Sequence, residues 1–140
     1  MRTYVFAGAS NRALGMYVNP MVANFADDCK ILGVFDANIG RARFIAESAG
    51  GVPVFDNFEM MLRETKPDCV IVTTVDAYHS DYIIKSLEMG CDVITEKPMT
   101  IDAARCRAIL AAEKASGHKV TVTFNYRYMP FVTKIKELVV

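Results

Sequence analysis

The sequence predicts an α/β domain in which about six parallel strands form a doubly wound sheet with helices on both faces. Short runs rich in Val, Ile, Phe and Tyr recur along the chain, and each is followed by a longer segment of helical period. The short runs are almost continuously apolar, as is typical of strands that helices cover on both faces. A length of 140 residues suits one such domain with its own core.

Six apolar runs are predicted as the strands of this sheet. They are residues 3–7, 31–35, 53–55, 69–74, 92–95 and 119–124. Polar residues mark the starts of the helices between them. Asn38 is placed to cap a helix over residues 39–49, and Asp56 with Glu59 three positions later forms a capping-box pattern.

Glycine and proline mark where the predicted helices end or bend. Gly50 or Gly51, Gly90 and Gly117 each follow a helical stretch, where a left-handed residue commonly closes a helix. The first helix, over residues 13–27, is expected to be kinked or restarted at Pro20. No repeat, low-complexity tract or linker-like run divides the chain, so we expect one structural unit.

The charge and hydropathy patterns argue against a nucleic-acid or membrane partner. Sixteen basic and sixteen acidic residues cancel, and they are scattered along the chain. No apolar run approaches the roughly 18 residues needed to cross a bilayer. Polar residues from Ser10 onwards interrupt the apolar start before the core of a signal peptide can form. We therefore expect a cytoplasmic protein that binds neither nucleic acid nor membrane.

The cysteines and histidines show no metal-ligand spacing. The four cysteines lie far apart without a C-x-x-C pair, and neither His79 nor His118 has a second ligand at helical spacing. We expect no metal site. We interpret the cysteines as small hydrophobic residues that pack in the core.

A glycine-containing loop follows the first predicted strand. Residues 8–13 are Gly-Ala-Ser-Asn-Arg-Ala, a variant of the fingerprint that binds dinucleotides between a first strand and a helix. Gly8 permits the tight turn, and the small Ser10 lets the backbone approach a pyrophosphate. The amides at the helix start, including those of Asn11 and Arg12, would face the phosphates. The loop favours a Rossmann-type fold, although any strand-to-helix turn can carry Gly and Ser.

An acidic residue ends the second strand. Asp36 is placed to accept the hydroxyls of an adenosine ribose, and its carboxylate would repel a 2'-phosphate. This position favours NAD, although Arg41 and Arg43 are near enough in sequence to leave NADP open. The alternative role for Asp36 is a helix cap, which Asn38 can fill instead.

Polar segments also follow the fourth and fifth strands. The first consists of Thr73, Thr74 and Val75, and the second of Glu96, Lys97 and Pro98. Open α/β sheets bind ligands at the carboxyl ends of their strands, so we interpret both segments as cofactor-binding. A solvated ion pair would also explain Glu96 with Lys97. A surface pair would not require Pro98, however, which fixes the backbone and directs the preceding lysine.

Taken together, these residues resemble the N-terminal domain of the Gfo/Idh/MocA family, which includes glucose-fructose oxidoreductase and inositol dehydrogenase. The resemblance covers essentially the whole chain. It rests on the loop at Gly8, on T-x-x-x-x-H at Thr74 to His79, on Glu96-Lys97-Pro98, and on Asn125-Tyr126-Arg127-Tyr128-Met129-Pro130. The last two motifs, separated by about thirty residues, are the specific part of it.

The resemblance implies roles for the matching residues. Lys97 would lie beside the nicotinamide and the reacting hydroxyl and would assist proton transfer, while Glu96 and Pro98 would shape that turn against the cofactor. His79 would lie near the nicotinamide side of the nucleotide, with a helix cap as its alternative role. A further pair, Asn125 and Arg127, would lie near the nicotinamide and the substrate, with a structural Arg-to-carboxylate pair as the alternative.

The resemblance also implies a second domain. Family members carry a further α/β domain with an open, mostly antiparallel sheet that supplies substrate contacts and the oligomer interface. We therefore expect residues 1–130 to form the NAD(P)-binding domain. A new helical period begins after Pro130, so residues 131–140 are expected to start a helix that leads to such a domain, itself absent from this sequence. The complete protein is expected to be a homo-oligomer.

The function that the resemblance implies is an NAD(P)-dependent dehydrogenase that oxidises a sugar, cyclitol or related polyol by hydride transfer to nicotinamide. This chain alone is expected to bind the cofactor without turnover. The same family offers an alternative, an NAD-dependent redox-neutral glycosidase. A non-catalytic redox sensor is another alternative, which Lys97 argues against, and a methyltransferase is a third, in which Glu96-Lys97-Pro98 has no role.

Overall fold

The computed structural model describes residues 1–139 and contains one six-stranded parallel sheet. Its strands are β1 (Arg2–Ala7), β2 (Cys29–Phe35), β3 (Val54–Phe55), β4 (Cys69–Val72), β5 (Asp92–Glu96) and β6 (Val120–Thr123). Their order is β3-β2-β1-β4-β5-β6, and every neighbouring pair is parallel. This is the doubly wound order of Rossmann-type sheets, so the predicted fold class is confirmed.

Helices connect the strands, and we label them in chain order. They are α1 (Asn11–Ala13), α2 (Asn19–Asn24), α3 (Ile39–Ser48), α4 (Phe58–Thr65), α5 (His79–Glu88), α6 (Ala103–Ser116) and α7 (Pro130–Val139). A π-helical turn, Leu14–Val18, joins α1 to α2, and short 3-10 turns occupy Asp76–Tyr78 and Asn125–Tyr128.

The first helical segment continues through its proline instead of breaking there. It runs from Asn11 to Asn24, where the sequence predicted residues 13–27 with a kink or restart at Pro20. In the π turn the Asn19 N–H bonds to Leu14 O, five residues back. The helix is therefore wider just before Pro20, which accommodates a residue that lacks an amide donor.

A polar side chain caps the start of both α3 and α4. The cap of α3 is the predicted residue, whereas the cap of α4 is not. Asn38 caps α3, as predicted, because its side-chain oxygen accepts a hydrogen bond from the Arg41 N–H at 3.1 Å. The capping box predicted from Asp56 is wrong. Asn57, one residue later, caps α4 by accepting from the Met60 N–H at 2.9 Å, with its own backbone extended as a cap requires.

Left-handed residues close several helices. Gly50, Gly90 and Gly117 all have positive φ and follow α3, α5 and α6, as predicted. At the end of α6 the Gly117 N–H donates to Glu113 O at 3.1 Å. By contrast, α4 ends at Lys66, a non-glycine residue with a φ of 43°.

Two apolar cores lie on opposite faces of the sheet. On one face α4, α5 and α6 pack against the strands around Met61, Ile83 and Leu87. On the other face the first helical segment and α3 pack around Phe6 and Ile45. The last three residues of β1 and of β2 are buried, whereas no residue of β6 is buried. The expectation that helices cover the strands on both faces therefore fails for β6, which is an edge strand.

Cys69 and Cys91 belong to the packed interior. Burial raises the pKa of the Cys69 thiol to about 12 and that of Cys91 to about 11, so both stay protonated at neutral pH. Within residues 1–139, no three His, Cys, Asp or Glu side chains are grouped so that they could hold a metal ion.

α7 lies outside both cores. The helix predicted over residues 131–140 is present up to Val139, while Val140 lies outside the described residues, and the helix contacts the 3-10 turn that precedes it. Four of its apolar side chains, Phe131, Ile135, Leu138 and Val139, are each more than half exposed. Across the described part of the chain, neither this helix nor any other combines the length and the apolar character that a membrane span needs.

Candidate functional site

The predicted site residues from four strands meet at the carboxyl edge of the sheet. One row of paired residues crosses this edge and consists of Phe35, Ala7, Val72, Thr95 and Val122. The residues that follow them along their strands are Asp36, Gly8, Thr73, Glu96 and Thr123. The strand order reverses between β1 and β4, and the loops that leave these two strands diverge around a crevice.

Gly8 is required because the loop after β1 lies directly against the end of β4. Its φ is 105°, and a Cβ there would lie only 2.6 Å from Thr73 C and Thr74 N. The buried Thr73 hydroxyl donates to Gly8 O at 2.7 Å and fixes the two loops together. The tight turn that the sequence predicted at Gly8 is therefore set by contact with β4.

The start of α1 presents free backbone donors. The Ser10 side chain caps the helix by accepting from the Ala13 N–H at 3.2 Å, which leaves the Ser10 hydroxyl proton available. Among the described residues, none accepts a hydrogen bond from the N–H groups of Ser10, Asn11 or Arg12. Such a group of amides at a helix start binds anions, phosphate in particular.

Asp36 connects the end of β2 to the glycine loop. One carboxylate oxygen accepts from the Ala9 N–H and the other from the Asn38 N–H, each at 2.7 Å. The alternative of a helix cap is not what is found, because Asn38 caps α3. Each oxygen of Asp36 keeps a second lone pair for a hydroxyl donor.

Two cavities adjoin this part of the edge. The larger, about 690 Å³, lies between the start of α1 and α3, and the smaller, about 460 Å³, lies between the ends of β2 and β4. They share Ser10, Asn38 and Arg41 as lining residues, so they form one continuous cleft. Asp36 and Thr74 line the smaller cavity.

Tyr78 and Tyr82 line the smaller cavity, and neither was predicted from the sequence. Their spacing of four positions places them on one face of a helix, and this spacing could have identified them. Arg41 was noted only as a qualification of the NAD preference, yet it lines both cavities. The neighbouring Arg43 lines neither.

Lys97 is exposed at the end of β5. Val72 pairs with Thr95, so Thr74 and Lys97 each lie two residues beyond a paired position, and the two follow neighbouring strands. Within residues 1–139 Lys97 makes no ion pair, so the solvated pair with Glu96 considered above is absent. The peptide bond between Lys97 and Pro98 is cis.

Glu96 is only 7% exposed, and its charge is balanced inside the protein. Its Oε1 lies 2.8 Å from Arg12 Nε, 2.8 Å from the Tyr17 hydroxyl and 3.2 Å from the Thr123 hydroxyl. We call these four residues the Glu96 cluster. Burial acts to raise the pKa of the Glu96 carboxyl, but the hydrogen bonds and the charge of Arg12 outweigh it, and that pKa lies below its ordinary value.

Tyr17 enters the Glu96 cluster from the π turn of the first helical segment. Burial, aided by the hydrogen bond to Glu96, raises the pKa of the Tyr17 hydroxyl to about 12, so it remains a neutral donor. Tyr17 was not predicted from the sequence, because nothing in its spacing relates it to β5. The contact between Tyr17 and Glu96 depends on the direction in which the π turn points the Tyr17 side chain.

His79 is completely buried and lies between two loops of the edge. Its Nδ1 is 2.8 Å from Pro98 O, and its Nε2 is 3.1 Å from Thr74 O. It is the first residue of α5, whose N-cap position is Tyr78, so its side chain does not cap that helix. The imidazole instead connects the loops after β4 and β5.

Asn125 and Arg127 lie apart from the cleft. They occupy the 3-10 turn after β6 and line a separate cavity of about 390 Å³ together with Arg12 and Glu96. No carboxylate in the described part of the chain lies within ion-pair distance of Arg127, so the structural pair considered for it is not found. The edge thus has a cleft at its β2 end and a second cavity at its β6 end.

Comparison with known proteins finds a family that matches most of the chain. Residues 2–124 match the family described as an oxidoreductase family with an NAD-binding Rossmann fold, Gfo/Idh/MocA. YteT of Bacillus subtilis, whose name assigns it only provisionally to the oxidoreductases, is 43% identical over 99% of this chain and 34% of its own length. An inositol 2-dehydrogenase of Rhodococcus erythropolis is 32% identical over 84% of this chain and 34% of its own length.

A solved structure shows the same fold. The WlbA dehydrogenase of Chromobacterium violaceum, crystallised with NADH and UDP-GlcNAcA, superposes with a TM-score of 0.90 at 22% identity, over 97% of this chain and 39% of that one. This chain spans about a third of the length of the curated relatives it matches.

Proposed function

The chain belongs to the Gfo/Idh/MocA oxidoreductase family, and on that premise we propose that it is the NAD(P)-binding domain of a dehydrogenase. The substrate that we propose is a sugar, cyclitol or related polyol, oxidised at a CH–OH group. One observation carries the proposal: the cleft beside Asp36 and the exposed Lys97 lie at the same carboxyl edge of the sheet. Thr74 lines the cleft, and it follows the strand next to the one that Lys97 follows. The inositol 2-dehydrogenase among the relatives supports the substrate class.

The residues of the cleft fit a dinucleotide. The free amides of Ser10, Asn11 and Arg12 would hold its pyrophosphate, and the remaining lone pairs of Asp36 would accept its ribose hydroxyls. Asp36 favours NAD. Arg41, which lines both cavities, is the residue that would admit the additional phosphate of NADP.

Lys97 would act on the substrate hydroxyl. A bound nicotinamide supplies the hydride acceptor. Lys97 would donate a hydrogen bond that stabilises the reacting oxygen while the hydroxyl proton passes to a base supplied by the second domain proposed below. The side chain suits this role because it is exposed at the strand tip, without an ion-pair partner among residues 1–139, and its long stem can reach a bound alcohol. Asn125 and Arg127, which follow the neighbouring strand, would contact the substrate side of the nicotinamide.

We further propose that residues 1–130 bind the cofactor, that α7 begins the connection to a second domain, and that the chain alone turns over no substrate. Hydride transfer needs the alcohol held about 3–3.5 Å from the cofactor, and such positioning is worth several kcal/mol. Among the described residues none covers Lys97, which supports this separation of binding from turnover. The homo-oligomeric state and the cytoplasmic location of the complete protein belong to the same proposal.

Calorimetric titration of this chain with oxidised and reduced NAD and NADP tests the proposal. We expect binding of NADH with a preference over NADPH. An absorbance assay for NADH over a panel of sugars and inositols should give no signal with this chain alone. Turnover by the chain alone would refute the separation of binding from catalysis. Failure to bind any of the four nucleotides would overturn the proposed function.

A further inference from the structure

The exposed Lys97 lies between two backbone positions that buried side chains hold. On its amino side, Glu96 is fixed through the Glu96 cluster. On its carboxyl side, Pro98 O faces the ring of His79. We propose that Arg12, Tyr17 and His79 are positioning residues that fix the backbone of Lys97. This inference rests on the proposed function, since it assigns these residues to the reaction through that lysine.

His79 holds the carboxyl side of the Lys97 turn from within the core. With no exposed surface, its ring has no face to offer a cofactor, so it acts only through the groups it bonds. Those groups are the carbonyls of Thr74 and Pro98, which belong to the loops after neighbouring strands. A neutral imidazole donates to one of the two carbonyls and an imidazolium to both. The link to Pro98 O requires a proton on Nδ1, and with that proton the ring ties the start of α5, just after β4, to the residue that follows Lys97.

The Glu96 cluster holds the amino side. Arg12 approaches from the first turn of α1, Tyr17 from the π turn and Thr123 from β6, and all three converge on Oε1 of Glu96. The guanidinium Nε of Arg12 faces Glu96, so part of this cation is already engaged and is unavailable to a phosphate. Its backbone amide remains free for that role.

The two contacts connect the cofactor cleft to the lysine. The helix start that would hold the pyrophosphate carries Arg12, and the loop that lines the smaller cavity carries Thr74. Each of these elements therefore also fixes one side of the Lys97 turn. A shift of about 1 Å in a reacting group can lower a rate about 100-fold. The side chain of Lys97 is flexible, so a fixed backbone limits how far its amino group can move from the reacting oxygen.

Backbone amide relaxation of the labelled chain tests the inference, with His79→Leu as the first variant. The order parameter of the Lys97 N–H should be about 0.85 in the wild type and fall below about 0.6 in the variant. The amides of the glycine loop should not change. His118→Leu is the matched control, because it replaces the other histidine of the chain at the opposite edge, and it should leave Lys97 rigid. His79→Gln, which restores a donor, should recover much of the order.

Tyr17→Phe tests the other side and keeps the inference falsifiable if His79→Leu fails to fold. It removes one hydroxyl from the Glu96 cluster and should lower the Lys97 order parameter while NADH affinity stays within about twofold of wild type. Unchanged order at Lys97 in folded His79 and Tyr17 variants would overturn the inference. So would a loss of NADH affinity with Lys97 still rigid, because that result indicates cofactor contact. Absence of NADH binding by the wild type would instead overturn the proposed function, while the relaxation data would still show whether these residues hold the turn.

Discussion

The two ends of the carboxyl edge differ in how fully the chain encloses them. At the β1–β2 end the strand termini are buried, and the loops enclose a cleft of two joined cavities. At the β5–β6 end Lys97 is exposed, no residue of β6 is buried, and Tyr126 and Tyr128 are 66% and 82% exposed. The apolar side chains of α7 are also exposed beyond that end.

This difference separates the residues that we assign to cofactor binding from the lysine that we assign to catalysis. The residues to which we assign dinucleotide binding lie in loops that follow neighbouring strands of this sheet. The lysine that we assign to proton transfer has a fixed backbone but an uncovered side chain. Substitutions at the two ends should therefore affect stability, binding and turnover separately.

The largest expected effect is at the exposed end. In a catalytically competent protein that contains this domain, Lys97→Ala should lower turnover by about 10²–10⁴-fold, because it removes help with proton transfer. The free energy of unfolding should change by less than about 0.5 kcal/mol, since an exposed side chain has little packing to lose. Lys114→Ala on the exposed side of α6 is the control. Turnover that survives Lys97→Ala would remove this lysine from the mechanism.

The next effect is at the enclosed end. Gly8→Ala should lower the free energy of unfolding by about 3 kcal/mol, because the new Cβ meets β4 backbone and the positive φ disfavours alanine. Gly15→Ala is the matched control, since a Cβ there has no neighbour within 4 Å. Urea denaturation of both variants measures the difference. Equal stabilities would mean that the loop after β1 does not lie against β4.

The third effect concerns the preference between NADH and NADPH, which substitutions in the same cleft should alter. Asp36→Ala should lower NADH affinity about tenfold, in keeping with the loss of hydrogen bonds to a charged group. The variant should also lose its discrimination against NADPH. Arg41→Ala should weaken NADPH more than NADH, because Arg41 lines both cavities. Calorimetric titration of each variant with both nucleotides provides the test, and a wild type that prefers NADPH would contradict the role of Asp36.

The smallest effect concerns the pH dependence of the Glu96 cluster. The pKa of Glu96 is lower in the folded state, so its ionised form adds stability above the unfolded value of about 4.3, and this stability is lost as pH falls through the folded pKa. The stability difference between wild type and Glu96→Gln should be constant near neutral pH and shrink below about pH 4.3. A difference that does not depend on pH would mean that the pKa of Glu96 is the same in the folded and unfolded states, and one that grows below about pH 4.3 would mean that the folded pKa is raised; either result would contradict this role of the Glu96 cluster.

The sequence predicted the sheet well because its signals are local. Buried strands appear as apolar runs, and Asn38 or Gly117 marks a helix boundary through its own chemistry. Where two adjacent residues could both cap, as at Asp56 and Asn57, composition did not decide between them. β6 was predicted as a strand, but its exposure as an edge strand depends on the order of strands across the sheet.

The site was predictable only where a motif coincides with a strand end. The motifs placed Gly8, Asp36 and Lys97 at strand ends, and the three residues follow β1, β2 and β5 in the structure. The contacts of His79 and Tyr17 were not predicted, because each joins elements that are distant in sequence. The position of Arg41 in both cavities depends on how α3 packs beside the first helical segment, which it contacts at the π turn. These relations follow from packing, which spacing along the chain does not reveal.

Mapping NADH binding by backbone amide chemical shifts tests the central claim most directly, because it locates the ligand on the sheet. We expect shifts at Ser10, Asp36 and Thr74 in the cleft and a smaller shift at Lys97. Residues at the opposite edge, such as His118, should not respond. Shifts confined to that opposite edge, or no shifts at any concentration of NADH, would contradict the assignment of this edge as the dinucleotide site.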